Sequence, residues 1–271
     1  MVEAMPPAVL ITGAGRRIGA VLARRFGEAG WHVVIHVGHD PDGARVLASS
    51  LPSAEVVQCD LLDGDAALTM VADAADRLGD WRVLVNCAAV FHPDTAQAID
   101  PTVFAEAITV NAEIPVRISQ AFLALARTNG GKRVIQFLDQ KIANPNPDFF
   151  SYTMAKHAFA ASVKMLAMAQ SDPTTRIYGL APGAMLPSFD QIAREHEVSG
   201  RMNLLRRLTD PGELADAALF MADGYLASGE TLFVDSGQHL LSQPRDVLYL
   251  AREQGLPSAP DHRNRAEQSG E

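Results

Sequence analysis

Three titratable side chains stand close together in the stretch RVIQFLDQKIANPNPDFFSYTMAK, residues 133–156. The apolar run Val134–Leu138 ends at Asp139, Tyr152 comes thirteen residues later, and Lys156 follows four after that. Positions four apart share one helix face, so Tyr152 and Lys156 project together. An ammonium beside a phenol favours phenolate and lowers the phenol's pKa, which yields a proton donor suited to neutral pH. Tyr-x-x-x-Lys alone is common and usually structural, and Lys141 offers Asp139 an ordinary ion-pair partner. An ionised carboxylate can only accept hydrogen bonds, so Asp139 suits a partner rich in N–H groups better than a carbonyl that needs a donor.

A second constellation lies near the start. The apolar run AVLIT leads into ITGAGRRIG, with Gly13, Gly15 and Gly19 immediately before a helical pattern. Glycines at a strand-to-helix turn let backbone N–H groups and a helix N-terminus approach a pyrophosphate. Arg16 and Arg17 stand beside that position, and the next strand, HVVIHV, ends without an acid before Asp40. A carboxylate there would suit the ribose 2′-hydroxyl of NAD, whereas cations favour the 2′-phosphate, so NADP(H) is the expected cofactor. Arg16, His36 and His39 are the cations available to that phosphate; a solvated helix start is the plainer reading of the two arginines.

Such groups need a scaffold that brings them to one edge. Seven short β-branched runs, at 8–12, 32–37, 55–59, 82–86, 133–138, 176–181 and 231–235, alternate with stretches of helical period at 18–29, 66–78, 104–127 and 152–170. Strands apolar on both faces, separated by helices, predict an α/β fold: a Rossmann-type, doubly wound, mainly parallel seven-stranded sheet flanked by helices on both faces. Asp60 and Asn86 then end strands at the carboxyl edge, where ligands bind in such sheets; each would serve equally well as a helix cap. The division expected is a flexible 1–7, a single domain over 8–250, and a polar, mobile tail over 251–271. Within the domain, 183–207 breaks the rhythm with Pro187 and a short helical pattern, Phe189–His196, and reads as a substrate loop.

Of the 271 residues, 48% are hydrophobic and 20% charged, a globular balance. The net charge of -9 argues against a nucleic-acid track or an anionic membrane surface. Two cysteines, Cys59 and Cys87, fit neither a disulfide framework nor a zinc site and imply a reducing cytoplasm. The eight histidines show no metal spacing, so no metal is expected. No apolar run is long enough to span a bilayer.

Together, TGAGRRIG, NCAA (86–89), Asn111, YTMAK (152–156), LAPG (180–183) and VDSG (234–237) fall in the order and approximate spacing of the short-chain dehydrogenase/reductase family, which the chain resembles from residue 8 to about 240. The resemblance implies nicotinamide hydride transfer, with Tyr152 as proton donor, Lys156 lowering its pKa, and Asn111 holding a water in a proton relay. It implies a cofactor lying against Gly13, Gly15, Arg16, Arg17, Ile18, Gly19, His36, His39, Asp60, Leu61, Asn86, Ala88, Tyr152, Lys156, Pro182 and Gly183. It also implies a homodimer or homotetramer packed through the Tyr152 helix. Two departures narrow it. Most of the family has glycine where this chain has Arg17, and serine where it has Asp139. Both changes together resemble the pteridine reductase branch, dihydromonapterin reductases included, in which Arg17 would bridge cofactor phosphate and pterin. In that branch Phe91 would sandwich the pterin against nicotinamide, a role a flat heteroaromatic needs, with ordinary core packing as the alternative. Substrate contacts expected are Arg17, Phe91, Asp139, Tyr152, Met185 and Leu186. Cys87 stands at the second Asn of the more usual NNAG, and Ala89 where pteridine reductases often have a serine that contacts ligand. Reduction of another imine or ketone, and noncatalytic NADP(H) sensing on the same fold, are the alternatives; retention of Tyr152 and Lys156 speaks against the second.

Overall fold

The computed structural model describes residues 6–188 and 190–254. Seven strands form one sheet in the order β3-β2-β1-β4-β5-β6-β7, and every neighbouring pair is parallel. They are β1 (Ala8–Ile11), β2 (His32–Val37), β3 (Ala54–Gln58), β4 (Trp81–Asn86), β5 (Arg133–Phe137), β6 (Arg176–Pro182) and β7 (Thr231–Val234). The seven apolar runs of the sequence are these strands, displaced by at most a residue or two. Chain order reverses between β1 and β4, which opens the crevice at the carboxyl ends where ligands bind in doubly wound sheets.

Helices cover both faces. One core packs α3 (Gly64–Arg77), α5 (Ile114–Leu125) and α6 (Phe150–Met168) on the sheet through Val71, Ile118, Phe122, Phe159 and Val163. The other packs α1 (Arg17–Glu28), α2 (Asp42–Ser49) and α8 (Pro211–Asp223) through Leu22, Phe26, Leu47, Leu214 and Met221. Val9 and Ile11 of β1 point into one core and Leu10 into the other, which is why the strand reads as an unbroken apolar run.

Three elements depart from the sequence expectation. The helical pattern over 104–127 is two helices, α4 (Pro101–Ile108) and α5, joined by a π-helical turn, Thr109–Glu113. Pro115 has no N–H for the carbonyl of Asn111 four residues back and its ring crowds that carbonyl, so the ladder widens there. The substrate-loop helix is α7 (Ala193–Ser199), later than 189–196: the side chain of Glu195 accepts from Ile192 N–H at 3.1 Å and starts the helix at that point. Phe189 itself lies outside the described residues. Finally, the boundary expected at 250 falls inside a helix, α9 (Val247–Glu253), in which Ala251 is fully buried. Residues 1–5 and 255–271, most of the two expected terminal segments, lie outside the described residues.

Candidate active site

Asp139 follows β5 at the carboxyl edge of the sheet, and α6 begins eleven residues later. The phenol of Tyr152 donates to Asp139 Oδ2 at 2.8 Å, and the backbone N–H of Lys141 donates to Asp139 Oδ1 at 2.8 Å. Asp139 is thereby oriented by one bond on each carboxylate oxygen. Lys156, 2% exposed, donates to the carbonyl of Phe137 at 2.6 Å, and its Nζ lies 5.7 Å from the centre of the Tyr152 ring.

The electrostatics correct one expectation. Burial, then the charge and hydrogen bond of Asp139, push the Tyr152 phenol well above its ordinary pKa, so Lys156 does not make it a ready phenolate here. Burial lowers Lys156 to about 8 and raises the Asp139 carboxyl above the ordinary carboxylate range, against the opposing pull of Lys141. The site is therefore a buried carboxyl and a neutral phenol sharing a proton-bearing contact, with a weakened ammonium behind them. Lys141 does not neutralise Asp139 by a direct ion pair; its ammonium is 2.7 Å from Asp246 Oδ2.

An aromatic group closes over this pair. Phe91 stacks on Phe149 with centroids 4.0 Å apart and planes 19° from parallel, and meets the Tyr152 ring edge-on at 4.7 Å. Tyr249 continues the stack beyond Phe149 at 5.8 Å. Phe91 is half-buried in this cluster, with Phe149 covering one of its faces. Phe149 takes the left-handed conformation (φ +52°) at the start of α6, an unusual choice for a bulky residue that aims its ring at Phe91. Nothing in the sequence signals it.

The glycine turn is shaped by contact. Gly13 has φ +68°, and a Cβ on it would lie 2.9 Å from the Cα of Ala88; one on Gly15 would lie 2.6 Å from Val37 Cγ1. Gly19 packs directly on the carbonyl of Gly13. α1 starts behind this turn with no side-chain cap and no acid in its first turn, with Arg16 and Arg17 exposed at its mouth. Free N–H groups, two cations and a surface that only glycine fits suit a pyrophosphate. Arg17, itself at φ +52°, reaches across to donate to Pro187 O at 2.7 Å, linking the turn to the substrate loop. Thr12, not singled out from the sequence, accepts from the N–H groups of Cys87 and Ala88 at 3.0 and 3.1 Å and ties the turn to the end of β4.

Several predicted contacts face elsewhere. His36 is 2% exposed: its Nδ1 accepts from Gly13 N–H at 3.2 Å, its Nε2 donates to Cys59 O at 2.9 Å, and burial lowers its pKa to about 4. It is a neutral brace under the glycine turn and not a cation for a 2′-phosphate. The Asn86 amide points into a buried network with Ser119 and Gln136, 2.9 and 2.8 Å away, and Leu61 and Met185 belong to the two cores. The side chains of Asn86, Leu61 and Met185 are buried in these contacts. Both ends of the Asn111 amide are bonded to the backbone of Val90 at 2.9 Å, so its side chain holds the segment leading to Phe91. His39 and Asp60 are exposed at the ends of β2 and β3; Ile18, Ala88, Pro182, Gly183 and Leu186 are half-buried along the same edge. Among the described residues no group of acids, histidines or cysteines could hold a metal ion, and no helix is long and apolar enough to cross a membrane.

The family model for enoyl-(acyl carrier protein) reductase matches residues 13–239. This chain is a short-chain dehydrogenase/reductase. Such oxidoreductases include the short-chain reductase protein NovJ of Streptomyces niveus, 29% identical over 84% of this chain and 92% of its own, and the 7alpha-hydroxysteroid dehydrogenase of Escherichia coli K12, 29% identical over 84% and 92%. Among solved structures it is similar to FolM alternative dihydrofolate reductase 1 of Brucella suis in complex with NADP, at 30% identity and a TM-score of 0.82, covering 90% of this chain and 98% of that one. The Brucella canis protein, also complexed with NADP, matches at 30% and 0.82 over 89% and 96%.

Proposed function

We propose that this reductase uses NADPH to reduce a dihydropterin, dihydromonapterin- or dihydrobiopterin-like, to the tetrahydro form. The observation that carries the reading is the 2.8 Å contact between the Tyr152 phenol and Asp139, where most of the family has a serine. In its ionised form Asp139 accepts from the amino and ring N–H groups of a pterin. Phe91 supplies a flat apolar surface beside it for a flat ring. The raised pKa of Asp139 lets it hold a proton at higher pH than an exposed carboxylate does, and Tyr152 extends that acid toward the substrate nitrogen. The nicotinamide, when bound, supplies the hydride that the C=N bond needs. Lys156 and Tyr152 would hold its ribose. Gly13, Gly15, Arg16, Arg17, Ile18 and Gly19 would hold its phosphates; His39 and Asp60 would meet the adenosine end, and Asn86, Ala88, Pro182 and Gly183 would contribute backbone. Arg17 would also meet the pterin, below Leu186 and the substrate loop.

The NADP held by the two Brucella structures, and the fit of two arginines to an anion, support the cofactor assignment. The exposed methionines of α6, Met154, Met165 and Met168, support a homodimer or homotetramer packed through that helix. Both cysteines are free, as suits the cytoplasm.

The test is consumption of NADPH by the purified protein with dihydromonapterin, dihydrobiopterin, dihydrofolate and simple ketones. Turnover of a dihydropterin in preference to the ketones, lost by at least about a hundredfold in Tyr152→Phe, supports the reading. Preferential turnover of ketones, or tight NADPH binding with no turnover, rejects it.

A further inference from the structure

The far end of the chain returns to the reacting groups. Asp246 is buried beside Lys141, itself only 3% exposed, and their charged atoms are 2.7 Å apart. Two charges withdrawn from water persist together only where geometry and further hydrogen bonds compensate. Here they do. The Lys141 ammonium also lies 3.4 Å from the carbonyl of Asp148 and 5.0 Å from the centre of the Phe149 ring. The Lys141 carbonyl accepts from His157 Nε2 at 3.3 Å, and its N–H holds Asp139 Oδ1. Asp246 in turn donates its N–H to Asp148 Oδ2 at 2.8 Å and caps α9 by accepting from Leu248 N–H at 2.9 Å. Arg245 fastens the same carboxylate of Asp148 at 2.8 Å.

We infer that Asp246 and Lys141 are positioning residues for the acid pair: Asp246 fixes Lys141, whose backbone N–H turns Asp139 toward Tyr152, and α9 is thereby a working wall of the active site. Two observations beyond the ion pair converge on this. Asp139 has one oxygen on the Lys141 N–H and the other on Tyr152, so any loosening of the 3-10 turn Gln140–Ile142 frees the carboxylate to rotate off the phenol. The start of α9 also delivers Leu248, 3% exposed, into one apolar cluster with Phe149 and Tyr152, with Phe91 and Tyr249 packed on it. The other end of α9 holds the substrate loop, through Arg252 Nε to Glu195 at 3.0 Å and Arg252 Nη2 to the Asp190 carbonyl at 2.9 Å. Catalytic turn, aromatic wall and substrate loop are fastened to a single seven-residue helix.

The inference rests on the reading of Asp139 and Tyr152 as the reacting acid, and its test is built to fail separately. Full-length, NADPH-loaded protein is compared with Lys141→Met, Lys141→Arg and Asp246→Asn by amide hydrogen exchange over residues 139–149 and by steady-state kinetics. Expected is exchange of that segment faster by about tenfold or more in Lys141→Met and Asp246→Asn, with kcat down about tenfold to a hundredfold. Affinity for NADPH stays within about twofold in both, because the glycine turn is not involved, and Lys141→Arg, which keeps charge and N–H, stays near wild type. Asp246→Asn retains the capping oxygen, so it reports on Lys141 even where Lys141→Met does not fold. Unchanged exchange in Asp246→Asn, or faster exchange with unaltered kcat, overturns the inference. Should the wild-type protein reduce no dihydropterin, the exchange experiment still decides the positioning claim, since it needs no substrate.

Discussion

At the residue scale, the chemistry turns on what burial does to three groups that are ordinary in water. Tyr152 and Lys156 were legible from their spacing only in company with the glycine turn, Asn86 and Asn111, and Asp139 from its place at a strand end thirteen residues before the tyrosine. The direction of the Tyr152 shift was not, because it depends on how close Asp139 comes and how little water reaches the pair. Lys156 carries a measurable consequence. Its pKa is about 8 in the fold against 10.5 when exposed, so between those values the unfolded chain binds the additional proton. Stability contributed through Lys156 therefore rises with pH across that window, by up to about 3 kcal/mol if the shift is fully expressed. Chemical denaturation of the cofactor-free protein from pH 8 to 10.5, against Lys156→Met, should show the wild type gaining relative to the variant. A difference that stays flat would mean that Lys156 is hydrated.

At the element scale, the glycine turn depends on a residue that the sequence reading placed on the wrong side of it. β2 is apolar on both faces, so alternation does not show which way His36 points, and a histidine near a phosphate loop reads as a cation. In the fold it accepts from Gly13 N–H, which requires Nδ1 unprotonated. With a folded pKa of about 4 against 6.5 outside, the unfolded chain binds the additional proton between those values. The contribution of His36 is complete above pH 6.5 and is lost as pH falls through 4, amounting to about 3 kcal/mol at full expression. Urea midpoints measured from pH 7 to 4 should fall more steeply in wild type than in His36→Gln; parallel curves would remove His36 as the brace. α9 was missed for a related reason. Arg252 and Glu253 read as the start of a polar tail, while the partners that bury the helix, Lys141, Asp148 and Glu195, stand far away in sequence and carry no local periodicity.

At the scale of the whole molecule, the parallel seven-stranded sheet was legible because unbroken apolar runs alternate with helices, and the carboxyl edge of such a sheet collects the loops that carry chemistry; the strand order came only with the fold. What the sheet leaves uncovered is the outer face of α6. Met165 and Met168 are 68% and 87% exposed there, on the helix that carries Tyr152 and Lys156 from its opposite side. A second copy packed on that face would stiffen the catalytic helix from behind. Sedimentation of the wild type should give a dimer or tetramer, and Met165→Glu with Met168→Glu should shift it toward monomer and lower kcat; a wild type that is monomeric and fully active would remove this interface from the account.

The central claim is that Asp139 selects a pterin and works with Tyr152 to protonate it. The most direct measurement is the ratio of kcat/KM for dihydromonapterin to that for a simple ketone, in wild type and in Asp139→Ser, with NADPH affinity measured alongside. The account predicts a ratio strongly in favour of the pterin that falls by about a hundredfold or more in the variant, while NADPH binding is retained. A ratio unchanged by the serine would contradict it.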